Sequence, residues 1–285
     1  MPVRIITDSG SDCYSSDHPQ LTVLPLSIGF GDEVYRADVD LSRERFYELL
    51  IEGDDVPTTG QVNPYAFSEA IEEAQAAGED VVVVTLSGKL SGTNQSALTA
   101  AAGANGDTQV FVVDSKSVTV GEHILVERGL QLVDEGRGAG EIAHELTGLA
   151  DRICLIGLLD TLEYLKRGGR LPAAAAAVGQ LLAIKPVITV DDGEVKILGK
   201  ARGSKNGRNL LNQAVEQGGG IDFSLPLQLG YSGLSDALLR KYIRDSRALW
   251  EGYPGDELPV LQVGATIGTH VGPGAVAVAF FSLGD

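Results

Sequence analysis

The sequence predicts a two-domain α/β protein. A doubly wound parallel sheet is expected over residues 1–158, and a second α/β domain with a partly antiparallel sheet over 159–285. Three observations carry this. The chain has 285 residues, and domains usually run ~100–200 residues each. Short apolar runs alternate with amphipathic segments through residue 158, as βαβ units require. Beyond that point the rhythm changes to a hairpin followed by helices and isolated strands.

Val3–Thr7 is a short apolar strand ending in the polar turn Asp8-Ser9-Gly10-Ser11-Asp12. Thr22–Phe30 reads as a second strand. Leu41, Phe46, Leu49 and Leu50 mark a helix over Leu41–Glu52. Asn63-Pro64 starts the next one, because Asn caps free N–H groups and Pro fits the first helical position. Phe67, Ala70, Ile71 and Ala74 follow at helical spacing, and Gly78 closes it. Val81–Leu86 is apolar throughout, as in a parallel strand covered on both faces. The loop Ser87–Thr93 leads into a helix over Asn94–Ala102. Val110–Val113 and Ile153–Leu159 are further buried strands, with helices at Val120–Glu135 and Glu141–Ala150 between them. In the second half, Thr161–Lys166 reads as a helix, and Pro172–Ala183 as an Ala-rich segment that packs close to a neighbour. Pro186–Val190 and Glu194–Leu198 flank Asp191-Asp192-Gly193 as a hairpin. Helices at Asn206–Gln217 and Asp236–Trp250, and strands at Leu225–Tyr231, Val260–Val263 and Ala275–Phe281, complete the chain.

Charge and composition narrow the function. Lys and Arg total 22 against 39 Asp and Glu, a formal net charge of −17. Nucleic-acid binding needs a basic face that displaces counterions, and docking on anionic lipid needs the same sign of charge. Cys13 and Cys154 are the only cysteines, too few for a disulfide framework or a Cys-rich metal site, so both are expected reduced. No metal spacing is visible among the four His. The N-terminus lacks the shape of a signal peptide, and the longest apolar stretch, Ala275–Leu283, is too short to span a bilayer. These features point to a soluble cytoplasmic protein without membrane insertion.

Five segments could carry chemistry. Asp8–Asp12 follows a strand, where α/β sheets gather ligands. It reads either as a polar rim or phosphate or metal contact, or as a turn capped by its own Asp and Ser side chains. Thr58 and Thr59 offer hydroxyls to a carboxylate or phosphate. Ser87–Thr93 precedes a helix, whose N-terminus favours an anion, but its spacing is neither a P-loop nor a nucleophile elbow. Gly264–Gly274 surrounds His270 with glycines, where backbone and ligand approach closely. Ser91, His270 and Asp8 can be written as a hydrolase triad. Asp160–Arg170 reads as an amphipathic interaction surface or as an ordinary capped helix.

The order of these segments adds a further reading. The D-S-x-S-D start, P-x-T-x-Q loop, S-G-x-L-S-G-T loop, L-E-Y-L-K-x-G-G-R segment, I-K-P-V strand and G-T-H-V-G-P-G segment together resemble the DegV family from Val3 to Phe281. The resemblance implies a fatty-acid-binding subunit of a bacterial fatty acid kinase. Such a protein holds one fatty acid, such as palmitate, between two α/β domains. It has no cofactor, nucleotide site or activity of its own. It presents the carboxylate to a separate ATP-dependent kinase subunit, which makes an acyl phosphate for phospholipid precursor supply. By motif match the carboxylate contacts fall on Thr59, Ser91 and His270, with Thr58, Thr93 and Arg202 as rim positions. The family's T-S-Q loop reads Thr59-Gly60-Gln61 here, so one hydroxyl is missing. A His beside a buried carboxylate should carry a raised pKa.

The residues agree with that implication. Tail burial contributes roughly 0.8 kcal/mol per CH₂, and a few hydroxyls and one His suffice to orient a head group. A chain of this negative charge draws no benefit from electrostatic steering of carboxylates. The alternatives are an acyl hydrolase built on Ser91 and His270, and a carrier of another apolar carboxylate or isoprenoid.

Overall fold

The computed structural model describes residues 1–53, 55–106, 108–171 and 184–283. In chain order its regular elements begin with β1 (Val3–Asp8), β2 (Leu21–Leu24), β3 (Ser27–Phe30), β4 (Glu33–Arg36), α1 (Arg43–Glu52), β5 (Thr58–Gly60) and α2 (Pro64–Ala76). They continue with β6 (Asp80–Thr85), α3 (Thr93–Gly103), β7 (Val110–Asp114), α4 (Val120–Asp134), α5 (Ala139–Ala150), β8 (Ile153–Leu158) and α6 (Glu163–Arg167). The last are β9 (Ile184–Asp191), β10 (Glu194–Arg202), α7 (Ser204–Gln217), β11 (Gln228–Tyr231), α8 (Ala237–Asp245), β12 (Val260–Gln262), α9 (Ala265–Val271) and β13 (Val276–Phe281). The Ala-rich segment expected at Pro172–Ala183 lies outside the described residues.

The N-terminal part is built on a four-stranded sheet, β2-β1-β6-β7, parallel throughout. Both faces are covered, which explains the unbroken apolar run in β6: Val82 and Val84 face α4 and α5, while Val81 and Val83 face α2 and α3. The start of α2 follows its sequence signal, with Asn63 Oδ1 accepting from Ala66 N at 2.9 Å ahead of Pro64. The single strand expected over Thr22–Phe30 is two strands. Pro25 has no N–H for a ladder, and the chain bends there. β2 stays in the parallel sheet, and β3 leaves it to form a three-stranded antiparallel sheet, β4-β3-β5.

The C-terminal sheet has six strands, β10-β9-β8-β13-β11-β12. Only the β11–β12 pair is parallel. The hairpin lies where expected, and Asp192 (φ 48°) and Gly193 (φ 77°) take the left-handed conformation that a tight two-residue turn needs. β8 corrects the sequence reading. It was expected in the first sheet, but it pairs with β9 and β13. Its apolar residues alternate between two cores: Leu155 joins the core shared with the N-terminal sheet, while Ile156 and Leu158 join the core beneath α7. A run apolar on both faces does not announce which sheet it enters. β8 is thus a strand of the six-stranded sheet.

Two segments expected as uniform differ as well. The helix over Asp236–Trp250 is α8 followed by a 3-10 turn at Arg247–Trp250. The Gly-rich segment around His270 is not a loop, because its middle forms α9. Gly264 precedes that helix and Gly272 follows it, while Gly268 lies inside it. Helix α4 lies between the two large sheets, touching β1 and β6 on one side and β8, β11 and β13 on the other. No described helix is long and apolar enough to cross a membrane.

Candidate ligand-binding site

A cavity of about 410 Å³ lies between the N-terminal part and the six-stranded sheet, within the ~300–1,000 Å³ usual for small-molecule sites. Its floor is the sheet. Gly157 pairs with Ala277, and Ala277 with Gly230, so three small residues form a row across β8, β13 and β11. All three line the cavity. Leu155, Ile188, Val190 and Val195 flank that row, and Leu26, Leu86, Leu90 and Val118 face it from the N-terminal part. The walls are therefore mostly aliphatic, with hydroxyls from Thr119 and Thr189 among them, and Thr59, Ser91, Arg170 and His270 cluster at one end.

Thr59, Ser91 and His270 all line the cavity. Thr59 is carried by β5, opposite Ile28 of β3. Its Oγ1 lies 2.9 Å from His270 Nε2. Ser91 sits in a tight turn whose Leu90 and Ser91 N–H groups both donate to Ser87 O. Ser87 Oγ in turn donates to Gly193 O across the domains, at 2.7 Å. Thr93, expected at the rim, is fully buried beneath Ser91. Its Oγ1 accepts from Val62 N at 3.3 Å and lies 2.9 Å from Ser91 Oγ. Ser91 Oγ also accepts from Thr93 N at 3.3 Å. With Thr93 donating its hydroxyl proton to Ser91, the Ser91 proton is left for a ligand acceptor.

Thr58 is exposed on the alternate face of β5 and does not line the cavity, and neither does the exposed Arg202 at the end of β10. The cation at the polar end is Arg170, which the site reading of the sequence missed. Its Nε donates to Leu90 O at 3.1 Å and its Nη1 to Gly168 O at 2.6 Å. It thus ties the Ser91 turn to the segment that packs on His270. Arg170 follows Gly168-Gly169 in the sequence, within a segment read only as an amphipathic interaction surface or an ordinary capped helix. Gln61 and Thr266 also line this end.

His270 is in the last turn of α9. A Cβ at Gly168 would collide with its Nδ1, so the absence of a side chain there lets the ring seat. Nδ1 is buried without a hydrogen-bond partner among the described residues. Burial, aided by the Arg170 charge, pushes the His270 pKa down to about 4, opposite to the expected rise. That expectation assumed a carboxylate beside the ring, and the protein groups around it supply a cation instead. His270 is therefore neutral at pH 7 and offers one N–H.

The missing hydroxyl at position 60 has a local cause. Ser27 is the register partner of Gly60, and a Cβ at 60 would collide with Ser27 Oγ. The triad is not assembled. Ser91 Oγ pairs with Thr93 and His270 Nε2 with Thr59. The Asp8 carboxylate accepts from Gly10 N at 2.8 Å and Leu86 N at 3.0 Å. The Asp8–Asp12 turn follows the self-capped reading: Ser11 Oγ donates to Asp8 O, and neither Asp8 nor Ser9 lines the cavity. Burial pushes the Asp8 pKa up to about 7. Cys13 and Cys154 are free thiols, both raised by burial. Among the described residues no cluster of three or more His, Cys, Asp or Glu is placed to hold a metal ion.

Fold and site define a class: a two-domain α/β protein whose parts enclose an aliphatic cavity with one polar, cation-bearing end. The DegV family, described as an uncharacterised protein family, matches residues 2–283, and the chain belongs to it. A DegV domain-containing protein of Deinococcus radiodurans is 34% identical over 286 residues, covering 98% of both chains. Among solved structures, a fatty-acid-binding DegV family protein from Thermus thermophilus is 31% identical with a TM-score of 0.87, covering 99% of this chain and 100% of its own. DegV, a fatty acid binding protein from Bacillus subtilis, is 26% identical with a TM-score of 0.82, covering 99% of both chains.

Proposed function

We propose that the protein binds one long-chain fatty acid, with the tail over the Gly157–Ala277–Gly230 row and the carboxylate among Thr59, Ser91, His270 and Arg170. The observation that carries this is the aliphatic cavity with hydroxyl, imidazole and guanidinium donors collected at one end. The fatty acid binding of the Thermus thermophilus and Bacillus subtilis relatives supports it. Apolar burial drives binding: about ten buried carbons contribute roughly 8 kcal/mol before the cost of ordering the chain. The resemblance extends the proposal to a cytoplasmic role in which the protein presents the carboxylate to a separate ATP-dependent kinase for acyl phosphate formation. In that role it has no catalysis of its own.

Mass spectrometry of the protein purified from cells tests the reading. A co-purified fatty acid is the expected result, and an isoprenoid or an acyl adduct on Ser91 overturns it. Ser91→Ala should keep the fold and weaken binding of a labelled fatty acid by ~1.5–3 kcal/mol, the range for one hydrogen bond to a charged group. Unchanged affinity removes Ser91 from the head-group site. Alone, the protein should hydrolyse neither ATP nor a chromogenic ester, and acyl phosphate should form only with a kinase added.

Affinity should also depend on pH. His270 starts from a pKa of about 4. A carboxylate bound beside it raises that value, so binding takes up protons and tightens as pH falls from neutrality toward 5. The trend ends where the ligand carboxylate itself protonates. Isothermal titration of wild type and His270→Gln across this range checks the sign, since the variant should lose the slope.

A further inference from the structure

We infer that the Asp8–Asp12 turn, together with Arg43, is a clasp that positions His270 for the ligand carboxylate. The inference rests on the fatty-acid reading of the cavity, and it gives a role to a sequence motif that the cavity itself does not use.

The argument starts from α9. It has seven residues, and helices shorter than ~12 residues are marginal on their own. Its position must come from tertiary tethers, and these converge just ahead of it. Asp12, in the left-handed conformation at φ 58°, accepts from Gly264 N through Oδ1 at 2.8 Å. Its Oδ2 accepts from Thr119 Oγ1 at 2.5 Å. Arg43 Nη2 donates to Asp12 O at 2.9 Å, and its Nη1 donates to Gln262 O at 2.5 Å. Asp38 receives Nε of the same guanidinium at 3.2 Å. Tyr47 Oη donates to Val263 O at 2.9 Å.

Ser9 completes the set. Its Oγ accepts from Leu26 N at 2.9 Å and lies 2.8 Å from Thr266 Oγ1. That hydroxyl–hydroxyl bond ties Ser9 to Thr266, one helical turn before His270. Helix α1 presses on the same helix: a Cβ at Gly268 would lie 2.6 Å from Phe46 Cε1 and 2.8 Å from Tyr47 Oη. Residues 262, 263, 264 and 266 are therefore each held by a group from the N-terminal part, and His270 is the first polar side chain past the tethers that reaches the cavity. None of Ser9, Asp12 or Arg43 lines the cavity. They are positioning residues.

Ser9→Ala tests the clasp, with Asp12→Asn as a second variant. Two readouts are taken: affinity for a long-chain fatty acid and for the alcohol of the same chain length, and the His270 ring nitrogen and Hε1 resonances in ligand-free protein. Misplacing His270 costs the acid one hydrogen bond, about a tenfold loss, while the alcohol should change by less than about twofold. The ligand-free His270 resonances should move as the Thr59 contact loosens. Acid and alcohol weakening together with unmoved His270 resonances would make the turn a general structural brace and overturn the inference, and so would a folded variant with neither readout changed. If wild type binds neither ligand, the fatty-acid reading fails, and the ligand-free resonances alone decide the clasp. Should Asp12→Asn not fold, Ser9→Ala, which removes only a hydroxyl, carries the test.

Discussion

Gly157→Leu should fold normally and lose long-chain fatty acids by more than a hundredfold. Gly157 sits in β8 between Ile188 and Ala277. A Cβ there would meet Ile188 Cγ1 at 3.5 Å and Leu159 Cδ2 at 3.9 Å, ordinary contacts. Glycine inside a strand costs roughly 0.5–1 kcal/mol relative to Ala, so the backbone does not oppose the change. The four side-chain carbons enter the cavity instead and take space from about four tail carbons. At roughly 0.8 kcal/mol per CH₂ that is about 3 kcal/mol. A short-chain acid should keep its affinity, because the polar end is untouched. Gly230→Leu is the contrast. Its Cβ would lie 2.8 Å from Val120 Cγ1 of α4, so that variant should lose thermal stability as well. Titration with acids of graded length, beside a melting curve, checks both. Undiminished long-chain affinity in folded Gly157→Leu would take the tail off the sheet floor.

The sequence made local features legible and tertiary ones illegible. Asn63-Pro64 starts a helix and Asp192-Gly193 turns a hairpin because neighbours in the chain decide both. The bend at Pro25 was also written locally, yet the apolar run around it read as one strand. The sheet that β8 joins depends on β13, more than a hundred residues later, and no pattern inside Ile153–Leu158 points there. The site divides the same way. Thr59, Ser91 and His270 were named through the order of family-like motifs, and each does line the cavity. Arg170 stood within one of those motifs but was not read as part of the site. Its meaning comes from Leu90 O and Gly168 O, carbonyls that any residue carries. The Asp8–Asp12 turn was recognisable as a motif, but its partners in residues 262–266 exist only after folding.

Arg170→Ala should weaken long-chain fatty acid binding at the polar end. The guanidinium is half-buried, with two of its donors spent on Leu90 O and Gly168 O. In the proposed binding mode its charge faces the ligand carboxylate. Removing it takes away the one Lys or Arg that lines the cavity among the described residues, and His270 is neutral at pH 7. Hydrogen bonds to charged groups contribute ~1.5–3 kcal/mol, and partial exposure keeps the expected loss in that range, about 10–150-fold at pH 8. The same substitution acts on His270. Burial is the larger cause of its depressed pKa and Arg170 the second, so without Arg170 the imidazole protonates more readily beside a carboxylate. The variant should therefore recover affinity as pH falls from 8 to 6, more steeply than wild type. Arg170→Lys keeps the charge without the planar fork and should fall between the two. A brace role alone would weaken a fatty alcohol as much as the acid and leave the pH slope unchanged. Titrations of acid and alcohol at pH 8 and pH 6 separate these outcomes, and unchanged acid affinity at pH 8 would remove Arg170 from the head-group site.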